Sequence, residues 1–327
     1  MMDTWVIEAE NLSKIFQVRK RSEETLIKRF FSRKQYQEVR ALDRVSLKIR
    51  QGEFVGLIGH NGAGKSTLVK LMTGILYPSD GVVRVLGRNP FTERVKNNQE
   101  IGVVFGQRTQ LNWDLSTMDS LDLLKRIYCI DDLSFKANIE MFCEIFNMRE
   151  ILSRPVRTLS LGERMQCEML AAFIHNPKVV FLDEPTIGLD VINKDAIVHF
   201  LKAIKERGDT TVILTTHDLE EMCKICDQII VLQAGQILIK EKTETLLKIH
   251  NEMKRIVFTT KEAEVSPIFW EQSIEAIYEP HKIVCENVKC EDMQYVIFEA
   301  LRQATITDVQ IEERNFTDII KEYLKVN

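Results

Sequence analysis

A glycine-rich segment of the pattern GxxxxGK[ST] constrains this chain more than any other feature of its sequence. The apolar run Glu53–Ile58 before it is typical of a buried strand, and Lys65–Thr73 after it predicts a helix. Backbone N–H groups of such a loop converge on one point, where the helix N-terminus also favours an anion. We therefore expect a phosphate-binding loop that consists of Gly59, His60, Asn61, Gly62, Ala63, Gly64, Lys65, Ser66 and Thr67.

A pair of adjacent acids supplies the chemistry that a bound nucleotide phosphate needs. Asp183 and Glu184 follow the branched apolar run Val179–Leu182, which is typical of a buried strand in a parallel sheet. The aspartate can hold magnesium, to which the Ser66 hydroxyl also binds, and the glutamate can orient or deprotonate an attacking water. Together the loop and the acids predict binding and hydrolysis of ATP with Mg²⁺.

The order of the remaining elements favours a doubly wound α/β core. Further strands are predicted at Ile101–Phe105 and Val212–Leu214, and helices at Asn193–Glu206 and Leu219–Ile225. A helical stretch from Met118 to Phe146 is predicted because no proline or glycine interrupts it.

After Gly235 the pattern becomes that of a small α+β domain. We expect an ATP-binding domain over residues 1–240 and an accessory domain over 241–327, joined near Lys240–Lys248. The elements predicted in the second domain are strands at Ile256–Thr259, Ile283–Cys285 and Val309–Glu312, and helices at Met293–Gln303 and Phe316–Leu324.

Composition and charge exclude several classes of protein. The chain has 327 residues, enough for about two domains, and a net charge of −4, which argues against a nucleic-acid partner. We find no apolar run near the roughly 18 residues that a membrane span needs, and no secretory signal. Seven cysteines are too few for a disulfide scaffold. We expect a cytoplasmic protein whose membrane role is peripheral, on the cytoplasmic face of the cell membrane.

With these motifs in order, the chain closely resembles the ATP-binding subunit of ABC transporters over roughly residues 4–240. The segment Leu159–Glu163 resembles the family's LSGGQ signature, and residues 188–190 resemble its D-loop. The residues that match family landmarks are Phe16 (adenine stacking), Gln107 (Q-loop), Ser160, Leu161, Gly162 and Glu163 (signature), Gly188, Leu189 and Asp190 (D-loop), and His217 (switch histidine).

The resemblance implies a P-loop NTPase core with a mainly parallel sheet, an antiparallel β subdomain and a helical subdomain. It implies a head-to-tail homodimer with ATP between the phosphate loop of one subunit and the signature of the other. Gln107 would join Ser66 and Asp183 around magnesium. Glu184 and His217 would act on the attacking water.

Several segments resemble one branch of the family in particular, the ABC-2-type export ATPases. These segments are Gly106–Leu111, Trp113–Leu115 and Leu159–Arg164. That branch implies separate permease subunits as partners. The alternatives are a soluble ABC ATPase without a transport role, or a regulatory module that uses nucleotide as a switch.

The signature departs from the family pattern at Leu161 and Glu163, where glycine and glutamine are usual. Ser160 followed three residues later by Glu163 also forms the sequence of a capping box, so we expect a helix to begin here.

Three further features leave alternatives open. Arg19–Arg40 carries eight Lys or Arg against three Glu, a local net charge of +5. It is either a basic amphipathic helix that contacts a membrane surface or a solvated loop. Trp113 is either an interface anchor or a core residue of the helical subdomain. The spacing Cys223-x-x-Cys226 is that of a redox or zinc pair, but without a second pair or an adjacent histidine Cys226 is interpreted as a core residue and Cys223 as incidental.

Overall fold

The computed structural model describes residues 5–19, 36–106, 109–216, 219–268, 270 and 274–313. Its contacts divide the chain into two compact units, Met1–Glu241 and Lys242–Asn327. Each unit is described by itself below.

A six-stranded sheet with the order β5-β6-β7-β3-β8-β9 forms the centre of the first unit. The pairs β5–β6, β6–β7, β7–β3 and β3–β8 are parallel, so their carboxyl ends share one edge. The strands β3 and β7 are buried along their whole length, as their continuous apolar sequences predict. The six strands are β3 (Phe54–Ile58), β5 (Ile101–Phe105), β6 (Val179–Asp183), β7 (Thr211–Thr215), β8 (Gln228–Gln233) and β9 (Gln236–Lys242).

A second, antiparallel sheet of the first unit has the order β2-β1-β4. Its strands are β1 (Trp5–Arg19), β2 (Tyr36–Arg50) and β4 (Asp80–Val85). The first two are 15 residues long each, whereas the sequence indicates only short strands at Val6–Glu8 and Val45–Ile49. Their mutual pairing extends to Arg19 and Tyr36.

Seven helices of the described residues complete the first unit: α1 (Lys65–Met72), α2 (Arg94–Asn98), α3 (Thr117–Ile127), α4 (Asp132–Phe146), α5 (Leu161–Phe173), α6 (Val191–Arg207) and α7 (Leu219–Ile225). α5 contacts both α3 and α4. The expected α/β core with a parallel sheet and an antiparallel β subdomain is confirmed.

The segment Met118–Phe146 is helical, as predicted, but it forms two helices, α3 and α4, with a short break between them. α3 ends at Ile127, and Cys129 adopts a positive φ of 54°. The Asp131 carboxylate then accepts hydrogen bonds from the N–H groups of Leu133 and Ser134, which caps a new helix. A local side-chain cap thus divides a segment that contains no proline or glycine.

The second unit contains a four-stranded antiparallel sheet with the order β11-β12-β10-β13. Its elements are α8 (Thr243–Glu252), β10 (Met253–Thr260), β11 (Glu275–Glu279), β12 (Lys282–Lys289), α9 (Met293–Gln303) and β13 (Ile306–Glu313). The α+β pattern is as expected, although α8 lies where the sequence suggested a linker, and β11 was not predicted. The predicted helix Phe316–Leu324 lies outside the described residues.

Within the described part of the chain, no helix is both long and apolar enough to cross a membrane. Cys226 is buried, as predicted, and its burial raises the pKa of the thiol.

Candidate functional site

The phosphate-binding loop connects the carboxyl end of β3 to the amino end of α1. Gly64 caps α1 with a φ of 111°, a conformation that residues with a Cβ rarely adopt. A Cβ at Gly64 would also lie 2.7 Å from the carbonyl oxygen of Ala41. The sequence pattern requires glycine here for these two physical reasons.

Lys65 is held across the loop by carbonyl groups of the loop itself. Its Nζ donates to the carbonyl oxygen of Gly59 at 2.6 Å and to that of His60 at 3.4 Å. The residue is only 7% exposed. The ammonium group therefore lies where the backbone of the loop turns. This is the position expected of a lysine that contacts a bound phosphate.

The parallel register brings the ends of three strands together beside the loop. Asp183 at the end of β6 is paired with Phe105 of β5 on one side and with Thr215 of β7 on the other. The N–H of Gly106 donates to the Asp183 carbonyl at 2.9 Å. Ser66 Oγ lies 3.4 Å from Asp183 Oδ1. Residues 117 positions apart in sequence are thus joined at one edge of the sheet.

Glu184 directly follows Asp183 and adopts a left-handed backbone conformation, with a φ of 54°. This conformation is uncommon for a residue other than glycine and costs on the order of 1–3 kcal/mol. Its N–H lies 3.0 Å from both the carbonyl oxygen and Oγ1 of Thr215, which hold the backbone in place. Such strain is common where a side chain must be aimed at a ligand.

A cavity of about 840 Å³ opens at this edge of the sheet. That volume lies within the range that small-molecule and cofactor sites usually occupy. Its lining includes Gly59, His60, Asn61, Ser66, Lys70, Ile75, Phe105, Gly106, Asp183, Glu184 and Ile187. The loop and the acid pair predicted from sequence therefore share one cavity.

The residues present fit a magnesium ion that is bound together with a phosphate. Magnesium prefers oxygen ligands, keeps several waters and usually takes only one or two protein ligands besides the phosphates of the substrate. Ser66 and Asp183 provide a hydroxyl and a carboxylate side by side. In the described part of the chain, no three His, Cys, Asp or Glu residues are grouped as a separate metal site.

The signature-like segment begins α5 with a complete capping box, as predicted. Ser160 Oγ accepts from the N–H of Glu163 at 3.2 Å, and the Glu163 carboxylate accepts from the N–H of Ser160 at 2.8 Å. The hydrogen bond from the Ser160 N–H is the main cause that holds the pKa of Glu163 below its usual value. The ion pair with Arg154 at 3.0 Å also lowers this pKa. Leu161 is 39% exposed at this helix end.

The D-loop-like segment is linked to α5 through Asn193, which sequence reasoning missed. Asp190 caps α6 and accepts hydrogen bonds from the N–H and Nδ2 of Asn193 at 2.9 and 2.7 Å. The Nε2 of Gln166 donates to Asn193 Oδ1 at 3.0 Å. A Cβ at Gly162 would lie 2.4 Å from the Asn193 side chain, so the small residue permits this close contact.

A buried acid on α5 holds the segment that follows Gln107. Glu168 accepts a hydrogen bond from the Thr109 hydroxyl, and another from the N–H of Gln110 at 3.2 Å. Burial raises the pKa of Glu168, against the effect of these hydrogen bonds. No local sequence signal indicates this contact, because the partners are 58 and 59 residues apart.

Trp113 lies near the same segment and is 49% exposed, so it is not a core residue. The guanidinium of Arg164 stacks over its ring at 5.5 Å. Phe16 is half-buried in β1, where Lys14 Nζ lies 5.3 Å from its ring centroid, and it is not among the residues that line the cavity. Gln107 and His217 lie outside the described residues.

Comparison with known proteins identifies a family. The sequence profile of the ABC transporter family matches residues 42–187. The ABC transporter ATP-binding protein NatA of Bacillus subtilis is 34% identical over 208 residues, which cover 64% of this chain and 84% of NatA. The daunorubicin resistance ATP-binding protein DrrA3 of Streptomyces coeruleorubidus is 34% identical over 230 residues, covering 70% of this chain and 72% of DrrA3.

An import protein and a solved structure are also similar. The methionine import ATP-binding protein MetN of Geobacillus kaustophilus is 32% identical over 244 residues, 73% of this chain and 70% of MetN. The dimeric structure of MJ0796, a bacterial ABC transporter cassette, superposes with a TM-score of 0.59 and 26% identity. That match covers 72% of this chain and 98% of the cassette.

Proposed function

The chain belongs to the ATP-binding subunits of the ABC transporter family, which are ATPases, and on that premise we propose that it drives an ABC-2-type exporter. In this proposal, two copies bind MgATP head to tail and separate permease subunits form the transport path. The subunit lies on the cytoplasmic face of the membrane. Residues 241–327 form an accessory domain.

One observation carries the catalytic part of the proposal. The phosphate loop, Asp183 and Glu184 border a single cavity, and Ser66 lies within 3.4 Å of Asp183. These groups match the parts that phosphoryl transfer from a nucleotide requires, which are a phosphate cradle, oxygen ligands for a metal and a base for water.

The roles follow from the chemistry of each group. The loop N–H groups and the Lys65 ammonium bind the phosphates of ATP. Magnesium, when bound by Ser66 and Asp183 with Gln107, would neutralise phosphate charge. Glu184 takes a proton from water as the water oxygen bonds to the γ-phosphorus, and the bond to the β–γ bridging oxygen breaks to release ADP and phosphate. His217 would contact the γ-phosphate and hold the water.

The dimer part of the proposal concerns residues outside the cavity. Ser160 and Gly162 would complete the site of the partner subunit, and Asp190 would lie at the interface between the copies. The exposure of Leu161 at the start of α5 is compatible with a surface that meets a second copy. The dimeric cassette structure similar to this chain supports the same arrangement.

The export assignment and the permease partner rest on the branch-like motifs and on relatives. DrrA3 is named for drug resistance, which favours export, whereas MetN is named for import. The half-exposed Trp113, which is stacked by Arg164 and lines a small pocket together with Thr109, offers an aromatic anchor for a permease. Arg19–Arg40 is proposed as a contact to a membrane surface or an acidic permease loop.

The test is Glu184→Gln, which keeps shape and polarity but removes the base. We expect ATP affinity within about threefold of the parent and a turnover lower by about 10²–10⁴-fold. ATP-bound dimers should accumulate in size-exclusion chromatography, because the step that reopens them is blocked. The exposed Glu206→Gln on α6 is the matched control and should behave as the parent.

The same Glu184→Gln protein, purified with ATP from solubilised membranes, should carry ABC-2-type permease subunits that mass spectrometry identifies. Ribosomal proteins in their place would support the soluble ATPase instead. Turnover near the parental rate would remove Glu184 as the base.

A further inference from the structure

Thr215 is the last residue of β7 and lies next to the acid pair. In the sequence it belongs to the segment Thr215–Asp218 around His217, in which the resemblance gives a role only to the histidine. The parallel register pairs it with Asp183 of the neighbouring strand β6. Its hydroxyl donates to Asp183 Oδ1 at 2.6 Å and accepts from the N–H of Glu184 at 3.0 Å. The side chain is fully buried, so these two bonds use the donor and an acceptor of the hydroxyl inside the protein.

Each of the two bonds orients one of the residues proposed for hydrolysis. The bond to Oδ1 limits rotation of the Asp183 carboxylate beside Ser66. The bond from the Glu184 N–H, together with that to the Thr215 carbonyl, holds Glu184 at its φ of 54°. Because an ordinary L-residue leaves this conformation readily, the direction of the Glu184 side chain depends on these acceptors.

We propose that Thr215 is a positioning residue for ATP hydrolysis, whose hydroxyl sets the orientation of the magnesium ligand Asp183 and of the base Glu184. The inference rests on the proposed catalytic roles of these two acids and extends them to a residue that is not among those lining the cavity. Hydrogen bonds of this kind typically change metal affinity or activity by about 10–100-fold when they are removed.

Two substitutions distinguish a role of the Thr215 hydroxyl in positioning the acids from a role of the side chain in packing the core. Thr215→Val keeps the branched shape and removes the hydroxyl, whereas Thr215→Ser keeps the hydroxyl and removes a methyl group. If Thr215 mattered only because it fills the core, valine would be tolerated and serine would be damaging. If its hydroxyl positions the acids, the order is reversed.

Thr211 provides a matched control at the opposite end of the same strand. It is equally buried, and its Oγ1 also accepts a backbone N–H, that of Gly52 at 2.9 Å. Thr211→Val therefore removes the same type of hydrogen bond from β7 without touching the acid pair. Any loss of thermal stability that Thr215→Val shares with it is structural.

The experiment measures kcat and KM for ATP, and the affinity for a fluorescent ATP analogue across a magnesium titration. For Thr215→Val we expect kcat to fall by about 10–100-fold, with KM within about threefold. The apparent magnesium affinity in the binding assay should fall by about 10-fold. Thr215→Ser should stay within about threefold of the parent in both assays, and Thr211→Val should match the parent.

The proposal is overturned if Thr215→Val keeps kcat and magnesium affinity within threefold of the parent. It is also overturned if serine is as damaging as valine, or if Thr211→Val loses as much activity. Failure of the proposed function looks different, because Glu184→Gln would then keep its turnover. The magnesium titration tests the role of Thr215 even if the parent protein does not hydrolyse ATP, because it measures binding and not turnover.

Discussion

At the scale of single residues, Lys65 illustrates how a short motif specifies a site. The residue is almost fully buried, and a buried ammonium group needs partners. The carbonyl oxygens of Gly59 and His60 supply them within the same loop. The charge is thus held on the inner side of the loop, at the place where phosphate groups are expected.

Lys65→Ala should weaken the binding of ATP itself, whereas Glu184→Gln should lower only the rate of hydrolysis. Removal of one charge-assisted contact to phosphate should lower ATP affinity by about 10–100-fold. Equilibrium titration with a fluorescent ATP analogue measures the effect. The exposed Lys202→Ala on α6 controls for general loss of positive charge. Unchanged affinity in Lys65→Ala would contradict the phosphate-loop assignment.

At the scale of elements, the amino end of α5 combines a structural and a proposed functional role. Ser160 and Glu163 cap the helix reciprocally, and Arg154 pairs with the Glu163 carboxylate. The unusual glutamate in the signature therefore has a local structural reason. It accepts the Ser160 N–H and places a negative charge at the positive end of the helix.

Glu163→Gln keeps the hydrogen-bond acceptor and removes the charge. At pH 7 we expect it to lower the free energy of unfolding by about 0.5–1 kcal/mol. Because folding lowers the pKa of Glu163, the contribution of its charge is complete above its ordinary value of 4.5 and is lost as the pH falls through the folded pKa.

Urea unfolding of both proteins between pH 7 and pH 3 checks this dependence. The difference between parent and Glu163→Gln should be constant above about pH 5 and should disappear in acid. Glu150→Gln, at an exposed position, should show no such difference. A constant difference down to pH 3 would contradict the role assigned to the charge.

At the scale of the whole molecule, charge is unevenly distributed along the chain. The net charge is −4, yet Arg19–Arg40 carries +5. Most of this segment, residues 20–35, lies outside the described residues. Each basic residue near an anionic membrane contributes on the order of 1 kcal/mol. In the proposed arrangement, the segment would therefore help to orient a subunit that is bound to a permease.

Reversal of Lys28, Arg29, Arg33 and Lys34 to glutamate should weaken recruitment to permease-containing vesicles and leave ATP binding unchanged. Co-sedimentation should show the largest loss at low salt, where screening is least. Glutamine at the same four positions should have an intermediate effect, because it removes the attraction without adding repulsion. Equal recruitment of all variants at every salt concentration would leave the segment as a solvated loop.

The sequence by itself determined the parts of this protein whose chemistry is local. The phosphate loop between β3 and α1, the Asp183-Glu184 pair at the end of β6 and the capping box of α5 each lie within a few consecutive residues. Their φ requirements, hydrogen bonds and hydrophobic patterns can therefore be recognised in the sequence. The same patterns indicated the parallel sheet, because strands buried on both faces are continuously apolar.

Only the tertiary structure decided which distant residues meet. Thr215 reaches Asp183 through the register of two parallel strands, and Asn193 joins Gln166 to Asp190 through the packing of α5 and α6. The long pairing of β1 with β2 likewise exceeds what either segment indicates alone. Such contacts depend on strand order and helix packing. Local periodicity and propensity do not predict them, because they describe neighbouring residues and not residues that are far apart in the sequence.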